Sequence, residues 1–445
     1  MAIKLPHPLV LLLGGIVVAA VLTWVLPAGE YERREDPATG RQVVVAGTYH
    51  RVEAAPVGPF ATAVAVPRGV VAGADVIAVI LFVGGAFVIV DRLGTFGLVI
   101  GGLLGRFRKR KLWAIPVVTL LFAVMGALEN MQEEVIPLVP VLLVLGAGLG
   151  VDAIAVVSMS LGGAMIGSAF GPTNPFQAAI ALQLAELPLL SAGGLRLVMF
   201  FAGVALWSAW TMRYAARNRV EVVAPPPPSG GTSVGKHTLI VLAVLLPFAA
   251  YVYGALQWGW GFDELSGALF VGAVLAGLVG GLGVEGTTKT YLEGMQSLLP
   301  AALLVGFARS ISVVLTDGRV IDTILNGLAT PLSYVSGATA GLLMIPFHAI
   351  LHVPVSSVSG QAVLTMPVMV PLADLLGFSR QVAVLAYQTG AGLTELVTPT
   401  NGALMAVLLA AGVPFNKWIR FVVPGVLLAS LIGVAAILYV LAVGL

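Results

Sequence analysis

Two short polar stretches interrupt apolar segments of the chain, and both contain the triplet Pro-Thr-Asn. They cover residues 167–175 and 392–402. A proline removes a backbone donor and frees carbonyl groups, so such a break at bilayer depth must line a protein cavity or coordinate something. Free helix ends, hydroxyls and amides can then hold an ion or a polar substrate. The candidate binding residues in these stretches are Gly167, Ser168, Pro172, Thr173, Asn174, Thr394, Glu395, Thr398, Pro399, Thr400 and Asn401.

Some of these residues are also candidates for binding a coupling ion. A sodium site would need about five or six oxygen atoms, many of them backbone carbonyls, by analogy with other hard cations. His348 and His352 could instead carry protons, although the alternative is that they are simply packed in the interior. The sequence therefore leaves Na⁺ and H⁺ open as the coupling ion, and no other cofactor is expected. The residues expected near Na⁺ are Thr173, Asn174, Thr400 and Asn401.

Carboxylates in the membrane interior form a second candidate group, because a charge there is costly enough to be functional by default. Glu395 is one of them, and the others lie in a polar cluster between two apolar segments. Arg309, near the middle of a predicted span, is a possible charge partner for an acid or for a substrate carboxylate. The alternative is structural, with one or two acids in fixed salt bridges or capping a helix. The cluster contains Glu129, Asn130, Gln132, Glu133 and Glu134.

An internal repeat relates the two polar stretches. An offset of 227 positions takes Pro172 to Pro399 and aligns residues 140–174 with 367–401 without a gap, with 11 of the 35 positions identical. The same offset places a neutral cluster opposite the acidic one, and such an asymmetric pair suits a substrate with two unlike ends. The alternative is a turn whose serines cap its own helices. The neutral cluster contains Ser356, Ser357, Ser359, Gly360 and Gln361.

Composition excludes an ordinary soluble protein. Hydrophobic residues make up 58% of the 445 positions and charged residues 10%, whereas about a quarter of a soluble domain is charged. The lipid bilayer and a small-molecule substrate are the expected partners, and a net charge of +2 gives no reason to expect nucleic acid. Neither a phosphate-binding loop nor a hydrolase motif occurs, and the chain contains no cysteine. We therefore expect neither ATP-driven transport nor enzymatic activity.

Hydropathy and the repeat together predict an all-α polytopic membrane protein with an inverted repeat. We expect about nine full spans, two of them broken, and two re-entrant hairpins that enter from opposite sides. The predicted segments are a first repeat at 1–219 with a hairpin at 112–149 and a broken helix at 152–187, a cytoplasmic Pro/Gly linker at 220–236, and a second repeat at 237–445 with a hairpin at 332–376 and a broken helix at 379–411.

Basic residues predict the orientation of the chain. Residues 106–111 contain five basic residues in six, and a later span ends near Arg213 and Arg217. By the positive-inside bias these loops are cytoplasmic, which places the N-terminus inside and the C-terminus outside a bacterial-type inner membrane. Residues 28–74 are expected to form an outside loop that could contain a small hairpin at the strand-like residues 43–45, and the last crossing is expected at 421–445. Inverted repeats whose broken helices meet at mid-membrane are typical of secondary transporters.

Several stretches spread over most of the chain match a known family. They are residues 27–31, 133–137, 173–176, 309–315, 359–367 and 379–386. Through them the chain resembles the YfcC-like branch of the ion transporter superfamily, which is related to C4-dicarboxylate anaerobic carriers of the DcuC type. The chain departs from the family pattern at Ala391, where an aspartate is expected, and at Asn401, where serine is common. The resemblance implies a homodimer with a scaffold and a mobile unit that moves like an elevator.

We therefore expect a secondary active transporter, driven by Na⁺ or H⁺, that takes up or exchanges an amino acid or a C4-dicarboxylate. An antiporter of basic amino acids such as arginine or ornithine is one alternative. An ion channel or pore is another class, since it shares broken helices but would show flux far above carrier rates and no counterflow. An intramembrane scaffold or enzyme is a third class.

Overall fold

The fold is built almost entirely of helices. The computed structural model describes residues 8–36, 41–95, 111–222, 234–258, 260–335 and 337–444. Within these residues, eight helices are long and apolar enough to cross a membrane. This agrees with the membrane protein expected from composition, while the number of about nine full spans stays a prediction. Residues 106–110 of the basic cluster and 223–233 of the linker lie outside the described residues.

We number the helices of the described residues α1 to α18 in chain order. Three short 3₁₀ segments and two π-helical turns lie between or within them. The bounds are Pro8–Val25 (α1), Pro59–Ala72 (α2), Ala74–Arg92 (α3), Ala114–Glu129 (α4), Val139–Leu149 (α5), Ala153–Val157 (α6), Gly163–Phe170 (α7), Ile180–Leu184 (α8), Gly193–Arg217 (α9), Val234–Trp258 (α10), Phe262–Gly280 (α11), Gly283–Asp317 (α12), Ile321–Ala329 (α13), Gly337–His352 (α14), Val358–Leu375 (α15), Arg380–Thr394 (α16), Gly402–Ala410 (α17) and Phe415–Val443 (α18), with 3₁₀ segments at Lys111–Trp113, Glu133–Leu138 and Thr330–Tyr334 and π-helical turns at Ser158–Gly162 and Pro175–Ala179.

A helix pair followed by a broken helix occurs twice. The first helix pair is α4 with α5, and the first broken helix comprises α6, α7 and α8. The second helix pair is α14 with α15, and the second broken helix comprises α16 and α17. The breaks lie at 171–174 and 395–401, where the Pro-Thr-Asn triplets predict them. The proline of each triplet cannot donate to the preceding turn, which ends the helix there.

The first broken helix is enclosed by the rest of the protein. In its most apolar window 94% of the residues are buried, against 33% for α18. A helix that faces lipid keeps only one stripe of side chains inside, so nearly complete burial means protein on all sides. The backbone groups freed at the break therefore face protein and not lipid.

The long helix α12 connects two hydrophobic cores. It packs against α1, α2 and α3, and it also contacts α17 of the second broken helix. The smaller core lies between α3, α10, α11 and α12 and includes Val79, Leu269 and Tyr291. The larger core contains both helix pairs and both broken helices. The smaller core meets the larger one through α12 and through α3, whose Val76 and Ile80 belong to the larger core.

The segment after α1 is more structured than the loop expected at 28–74. It contains helix α2 and four short strands, and the expectation of a loop was wrong for α2. The prolines at the start and in the interior of α2 hide it from hydropathy, although proline is well tolerated in a first helical turn. The strands form two antiparallel pairs, Gly29–Glu30 (β1) with His50–Arg51 (β4) and Arg33–Asp36 (β2) with Arg41–Val44 (β3).

Asp322 attaches these strands to α13. Its carboxylate accepts a hydrogen bond from the Tyr31 backbone N–H at 2.9 Å and pairs with Arg33 at 2.9 Å. The Tyr31 hydroxyl donates to Asn326 Oδ1 at 3.1 Å. Burial of the phenol, together with the Asp322 carboxylate, raises the pKa of Tyr31 to about 12. The phenol therefore stays a neutral donor at physiological pH.

The two ends of the first helix pair lie together, beside the basic end of α9. Lys111 Nζ donates to the carbonyl of Gly148 at 3.0 Å. The backbone N–H of Val220, just after α9, donates to the carbonyl of Gly150 at 3.2 Å. The first helix pair therefore enters and leaves on the same face as the arginines at the end of α9.

The end of the second helix pair lies beside the far end of the first broken helix. Arg380 pairs with Asp374 at the end of α15 at 2.8 Å. It also pairs with Glu186, just after α8, at 2.7 Å and donates to the carbonyl of Ala185 at 3.1 Å. The first broken helix thus runs from the ends of one helix pair to the end of the other.

The two broken helices run in opposite directions. The second one starts at Arg380, where the first one finishes. It finishes at Ala410, and α18, which follows directly, contains Phe421, whose ring centroid lies 4.7 Å from that of Tyr214. The Tyr214 hydroxyl donates to Asp152, which caps the start of the first broken helix, at 2.8 Å. Each broken helix therefore begins near the point where the other ends.

Candidate functional site

A chain of buried polar side chains joins the second helix pair to the second break. His352 Nε2 lies 2.5 Å from Glu395 Oε1, and Asn401 Nδ2 donates to Glu395 Oε2 at 2.6 Å. On the other side of the ring, His352 Nδ1 lies 2.7 Å from Gln361 Oε1. Gln361 Nε2 donates to the backbone carbonyl of His348 at 2.9 Å. None of the five residues is more than 6% exposed.

Local helix geometry places these side chains. His348 and His352 lie four residues apart on α14 and therefore share one face of that helix. Gln361 lies in the first turn of α15, opposite that face. Asn401 is the N-cap of α17, where its Oδ1 accepts from the backbone N–H of Leu404 at 2.9 Å. The cap leaves the amide N–H groups of Asn401 pointing into the break.

The threonines of the second break hold the tip of the second helix pair, which comprises residues 352–361. Thr398 Oγ1 and Thr400 Oγ1 are 2.7 Å apart. Thr400 Oγ1 also donates to the backbone carbonyl of Val353, in the tip, at 2.7 Å. Thr394 is different, because its hydroxyl donates to the Gly390 carbonyl of its own helix at 2.7 Å. Thr398 and Thr400 thus fix the tip to the break.

Asn174 organises the first break in the same way. Its Oδ1 accepts from the backbone N–H of Gln177 at 2.7 Å, which caps the π-helical turn. Its Nδ2 donates to the Gly126 carbonyl at 2.9 Å, to Asn130 Oδ1 at 3.1 Å and to Ser168 Oγ at 3.0 Å. The Ser168 hydroxyl also donates to Asn130 Oδ1. The predicted residues Ser168, Asn130 and Asn174 therefore form one cluster.

The two breaks and the tip of the first helix pair, residues 129–134, meet in the interior of the protein. Asn401 Nδ2 donates to Gln132 Oε1, in the tip of the first helix pair, at 3.3 Å. A Cβ atom at Gly392 would lie 2.6 Å from Gln177 Nε2 and 2.8 Å from Ala169 Cβ, so the absence of a side chain lets the second broken helix come close to the first. Gln177 Nε2 itself is buried and makes no hydrogen bond within the described residues. The site predicted from two separate stretches is therefore one continuous polar region.

The acids of the first tip line the edge of this region. Glu134 Oε2 accepts from the backbone N–H of Gln132 at 3.1 Å. The carboxyl of Glu133 interacts electrostatically with Glu395 and with Arg309. Glu129 ends α4 and is partly buried. Glu133 is thus the acid of the first tip that interacts with Glu395 in the second break.

The serines of the second tip are less central than expected. Ser357 caps α15, and its hydroxyl accepts from the backbone N–H of Gly360 at 3.3 Å. This is the structural alternative considered for that cluster. The side chains of Ser356 and Ser359 are partly buried and make no hydrogen bond within the described part of the chain. Gln361 is the member of the neutral cluster that enters the polar chain.

The side-chain oxygens of the residues expected near a sodium ion form hydrogen bonds within the protein. The oxygens of Asn174 and Asn401 act as helix caps. Thr173 Oγ1 donates to the Ala127 carbonyl at 3.1 Å, and Thr400 Oγ1 donates to the tip. The described residues also contain no group of three or more acidic or histidine side chains that could hold a metal. Na⁺ binding at these four residues stays a prediction.

Arg196, which sequence reasoning missed, is the buried arginine of the larger core. It is 1% exposed, whereas Arg309 is exposed and forms no ion pair within the described residues. Arg196 Nε donates to Gln388 Oε1 at 2.9 Å, and its Nη2 donates to Gln381 Oε1 at 3.0 Å. Arg196 lies near the start of α9, and a charged residue at a helix end usually indicates the boundary of a membrane span. Nothing in the sequence therefore marked Arg196 as buried.

A glycine stripe brings the first broken helix against α4. Gly163, Gly167 and Gly171 recur every four residues and share one face of α7 and its C-terminal end. A Cβ atom at Gly167 would lie 1.9 Å from the carbonyl oxygen of Ala123 in α4. Such small residues at a spacing of four are typical of close helix packing in membranes. The spacing was visible in the sequence and could have predicted this contact.

Comparison with known proteins gives matches over the whole chain. The family model of the C4-dicarboxylate anaerobic carriers, DcuC, matches residues 5–443 of this chain. YfcC of Escherichia coli (strain K12), whose name carries a proposed assignment as a basic amino acid antiporter, is 30% identical over an alignment covering 94% of this chain and 92% of that protein. An uncharacterized protein of Haemophilus influenzae is 24% identical, with 99% and 97% covered.

Two solved transporter structures share a lower similarity. The YdaH transporter of Alcanivorax borkumensis is 16% identical, with 99% of each chain covered and a TM-score of 0.43. MtrF of Neisseria gonorrhoeae, from a class of antimetabolite efflux pumps, is 18% identical, with 97% of this chain and 94% of that chain covered and a TM-score of 0.42.

Proposed function

The chain belongs to the C4-dicarboxylate anaerobic carrier (DcuC) family, and we propose that it is a secondary active transporter that moves a small carboxylate-bearing metabolite with Na⁺ or H⁺ as the coupling ion. Membership of the family makes it a multi-span membrane transporter whose partners are the bilayer and a small molecule. The substrate class we propose is an amino acid or a C4-dicarboxylate. A cell inner membrane with the N-terminus in the cytoplasm and the C-terminus outside is the proposed location.

One observation carries the proposal: two broken helices and the two tips meet in a single buried polar region. Gln132 of the first tip and His352 of the second tip both contact the second break. Breaks of this kind supply free helix ends and polar side chains at the depth where a transported molecule must be held. The Ser168 and Asn174 cluster supplies the corresponding groups at the first break.

The antiparallel course of the broken helices supports an inverted repeat with two opposed re-entrant hairpins. The ends of the first helix pair lie by the arginines of α9, and the end of the second pair lies by Glu186. If the arginines are cytoplasmic, the first pair enters from inside and the second from outside. We propose that these pairs and the broken helices form the mobile unit of an elevator, with the smaller core as the scaffold of a homodimer.

The residues at the site are compatible with more than one class of substrate. Glu133, Glu134 and Glu395 favour a substrate that carries a positive group, such as a basic amino acid, and the proposed assignment of YfcC agrees with that choice. The family description names C4-dicarboxylates. Arginine or ornithine antiport is therefore the second candidate, supported by the acids at the site.

Reconstitution in liposomes tests the proposal. Purified protein is assayed with labelled arginine, ornithine, succinate and acetate under imposed sodium or proton gradients, with empty liposomes as the control. We expect gradient-dependent uptake or counterflow of at least one of them. Absence of such flux for every small carboxylate would refute the transporter proposed here, and flux without counterflow at far higher rates would identify a channel.

A further inference from the structure

The hydrogen bonds around His352 and Glu395 determine how many protons this pair of side chains holds. A backbone carbonyl can only accept, so the Gln361 nitrogen that faces the carbonyl of His348 at 2.9 Å must be the amide donor. The oxygen of Gln361 therefore faces His352 Nδ1 at 2.7 Å. An amide oxygen can only accept, and so Nδ1 of His352 carries a hydrogen.

The other side of the pair is determined in the same way. Asn401 Oδ1 accepts from the backbone N–H of Leu404, so its Nδ2 must be the atom that faces Glu395 Oε2. Oε2 of Glu395 therefore accepts this hydrogen bond, and within the described residues it faces no acceptor to which a proton on it could be donated. Any proton held by this carboxyl must lie on Oε1, which faces the histidine.

One proton must then lie between His352 Nε2 and Glu395 Oε1. These atoms are 2.5 Å apart, which is a hydrogen-bond distance and far too short for two lone pairs that face each other. The proton can be assigned to Nε2, giving an ion pair, or to Oε1, giving two neutral groups. Both assignments contain the same number of protons, and the net charge of the pair is zero in each.

We propose that His352 and Glu395 form the proton-binding site that couples transport, a conclusion that rests on the proposed transport function. In the arrangement described here the site is occupied. Release of the proton to water leaves a neutral histidine and an ionised carboxylate, changing the charge of the pair from zero to minus one. Nε2 and Oε1 then both carry lone pairs, and their repulsion separates the end of α14 from the second break. Protonation thus controls one of the contacts that attach the second tip to the broken helix, another being the hydrogen bond from Thr400 to Val353.

Titratable and polar groups from several elements surround the pair. His348, one turn earlier on α14, interacts electrostatically with His352 and is itself buried. Glu133 of the first tip interacts with Glu395 across the site. Arg309 and Asp75 act on Glu133 in turn. From α16, the ring of Tyr387 packs edge-on against His348. On α15 and at the start of α17, the groups that face the pair are the neutral amides of Gln361 and Asn401.

A titration without substrate tests the site directly. Purified full-length chain in detergent with little buffer is shifted from about pH 5 to about pH 9, and released protons are counted with a pH-indicator dye. Because a coupled pair titrates as a unit, the wild type is expected to release about one proton per chain more than Glu395→Gln or His352→Gln. Glu285→Gln, an exposed acid outside the site, should release as many protons as the wild type.

A conformational measurement uses the indole of Trp418, which donates to the backbone carbonyl of Leu396 at 2.8 Å within the second break. Its fluorescence, isolated by subtracting Trp418→Phe, is expected to shift in step with proton release in the wild type. In Glu395→Gln the amide N–H can donate to His352 Nε2, so the contact no longer needs a titratable proton. This variant should therefore show no shift over the same pH range. Size-exclusion chromatography identifies misfolded protein, and His352→Gln provides the count if Glu395→Gln does not fold.

The outcomes separate this inference from the proposed function. Equal proton release by the wild type and both folded variants would overturn the inference, even if the liposomes show sodium-driven uptake. The extra proton in the wild type, with no flux for any substrate tested, would support the proton site and refute the transporter. Extra proton release together with accumulation of arginine or succinate under a proton gradient supports both.

Discussion

At the scale of single residues, the amide of Asn401 combines two roles that one substitution can separate. Its oxygen caps α17, while its nitrogen donates to Glu395 and Gln132. An aspartate would keep the cap, because aspartate is as good an N-cap as asparagine. It would, however, replace the donor with a second carboxylate next to the first.

We expect Asn401→Asp to fold and to reduce transport about tenfold or more, because two adjacent buried carboxylates cannot both stay ionised without cost. The measurement is initial uptake into liposomes, normalised to protein that elutes as a single peak. Gln257→Glu, the same chemical change at an exposed position at the end of α10, should leave uptake unchanged. Wild-type uptake by Asn401→Asp would show that the donor to Glu395 is dispensable.

Arg196 offers a second prediction at this scale, because it is a buried charge held only by neutral acceptors. Arg196→Met keeps the length of the side chain and leaves the oxygens of Gln381 and Gln388 without a donor. Each orphaned acceptor costs about 1–3 kcal/mol. We therefore expect a clearly lower melting temperature in detergent.

Arg196→Lys is the matched comparison, since it keeps the charge but cannot donate from a planar fork to two separate oxygens. It should lie between the wild type and Arg196→Met in melting temperature. If both variants melt like the wild type, the contacts of Arg196 do not hold α9 against the second broken helix.

At the scale of elements, the position of each broken helix depends on backbone contacts that allow no side chain. The approach of Gly167 to the backbone of α4 at Ala123 is one example, and that of Gly390 to the carbonyl of Ile345 in α14, at 2.3 Å, is another. These contacts hold each broken helix against the first arm of its own helix pair. They also explain why the prolines can break the helices without exposing the freed backbone groups to lipid.

We expect Gly167→Ala to separate α7 from α4 and to lower both the yield of monodisperse protein and its melting temperature. The new methyl group would need space that backbone atoms now occupy, and backbone cannot move as a side-chain end can. Gly14→Ala is the control, because a Cβ atom there meets nothing within 4 Å. It should be neutral or slightly stabilising, by about 0.5–1 kcal/mol, since alanine favours a helix interior over glycine. Equal behaviour of the two variants would contradict the packing described here.

At the scale of the whole molecule, the orientation of the two helix pairs decides whether the fold is an inverted repeat. Glu221 lies next to Val220, which is hydrogen-bonded to the end of the first pair, and it is exposed. Tyr334 lies just before the second pair and is 85% exposed. The chain has no cysteine of its own, so single cysteines can be placed at these sites without background.

Glu221→Cys should react with a membrane-impermeant thiol reagent only after cells are opened, whereas Tyr334→Cys should react in intact cells. The physical reason is that the two helix pairs are proposed to enter from opposite faces, with basic residues kept inside. Labelling is read by mass shift, with the cysteine-free wild type as the blank. Reaction of both cysteines from the same side would end the inverted-repeat proposal.

Much of this protein follows from its sequence because local composition has strong physical consequences. A chain with so few charges and so many apolar residues can only be stable in a bilayer, and hydropathy alone predicts that. A proline that is followed directly by the polar residues Thr-Asn interrupts an apolar helix, so both breaks were predicted at the Pro-Thr-Asn triplets, whereas single prolines such as Pro300 and Pro424 lie inside continuous helices. The repeat placed the two tips next to the breaks, and the matching stretches identified the family.

The tertiary structure decided which of those residues touch each other. Hydropathy cannot distinguish a helix face in lipid from one in protein, because both are apolar, and so it marked Arg309 as the deep arginine and missed Arg196. The partners in the polar chain lie 43 positions apart for His352 and Glu395, and 269 apart for Gln132 and Asn401. No local pattern specifies such pairs, since they depend on how α14 and the first tip pack around the second break.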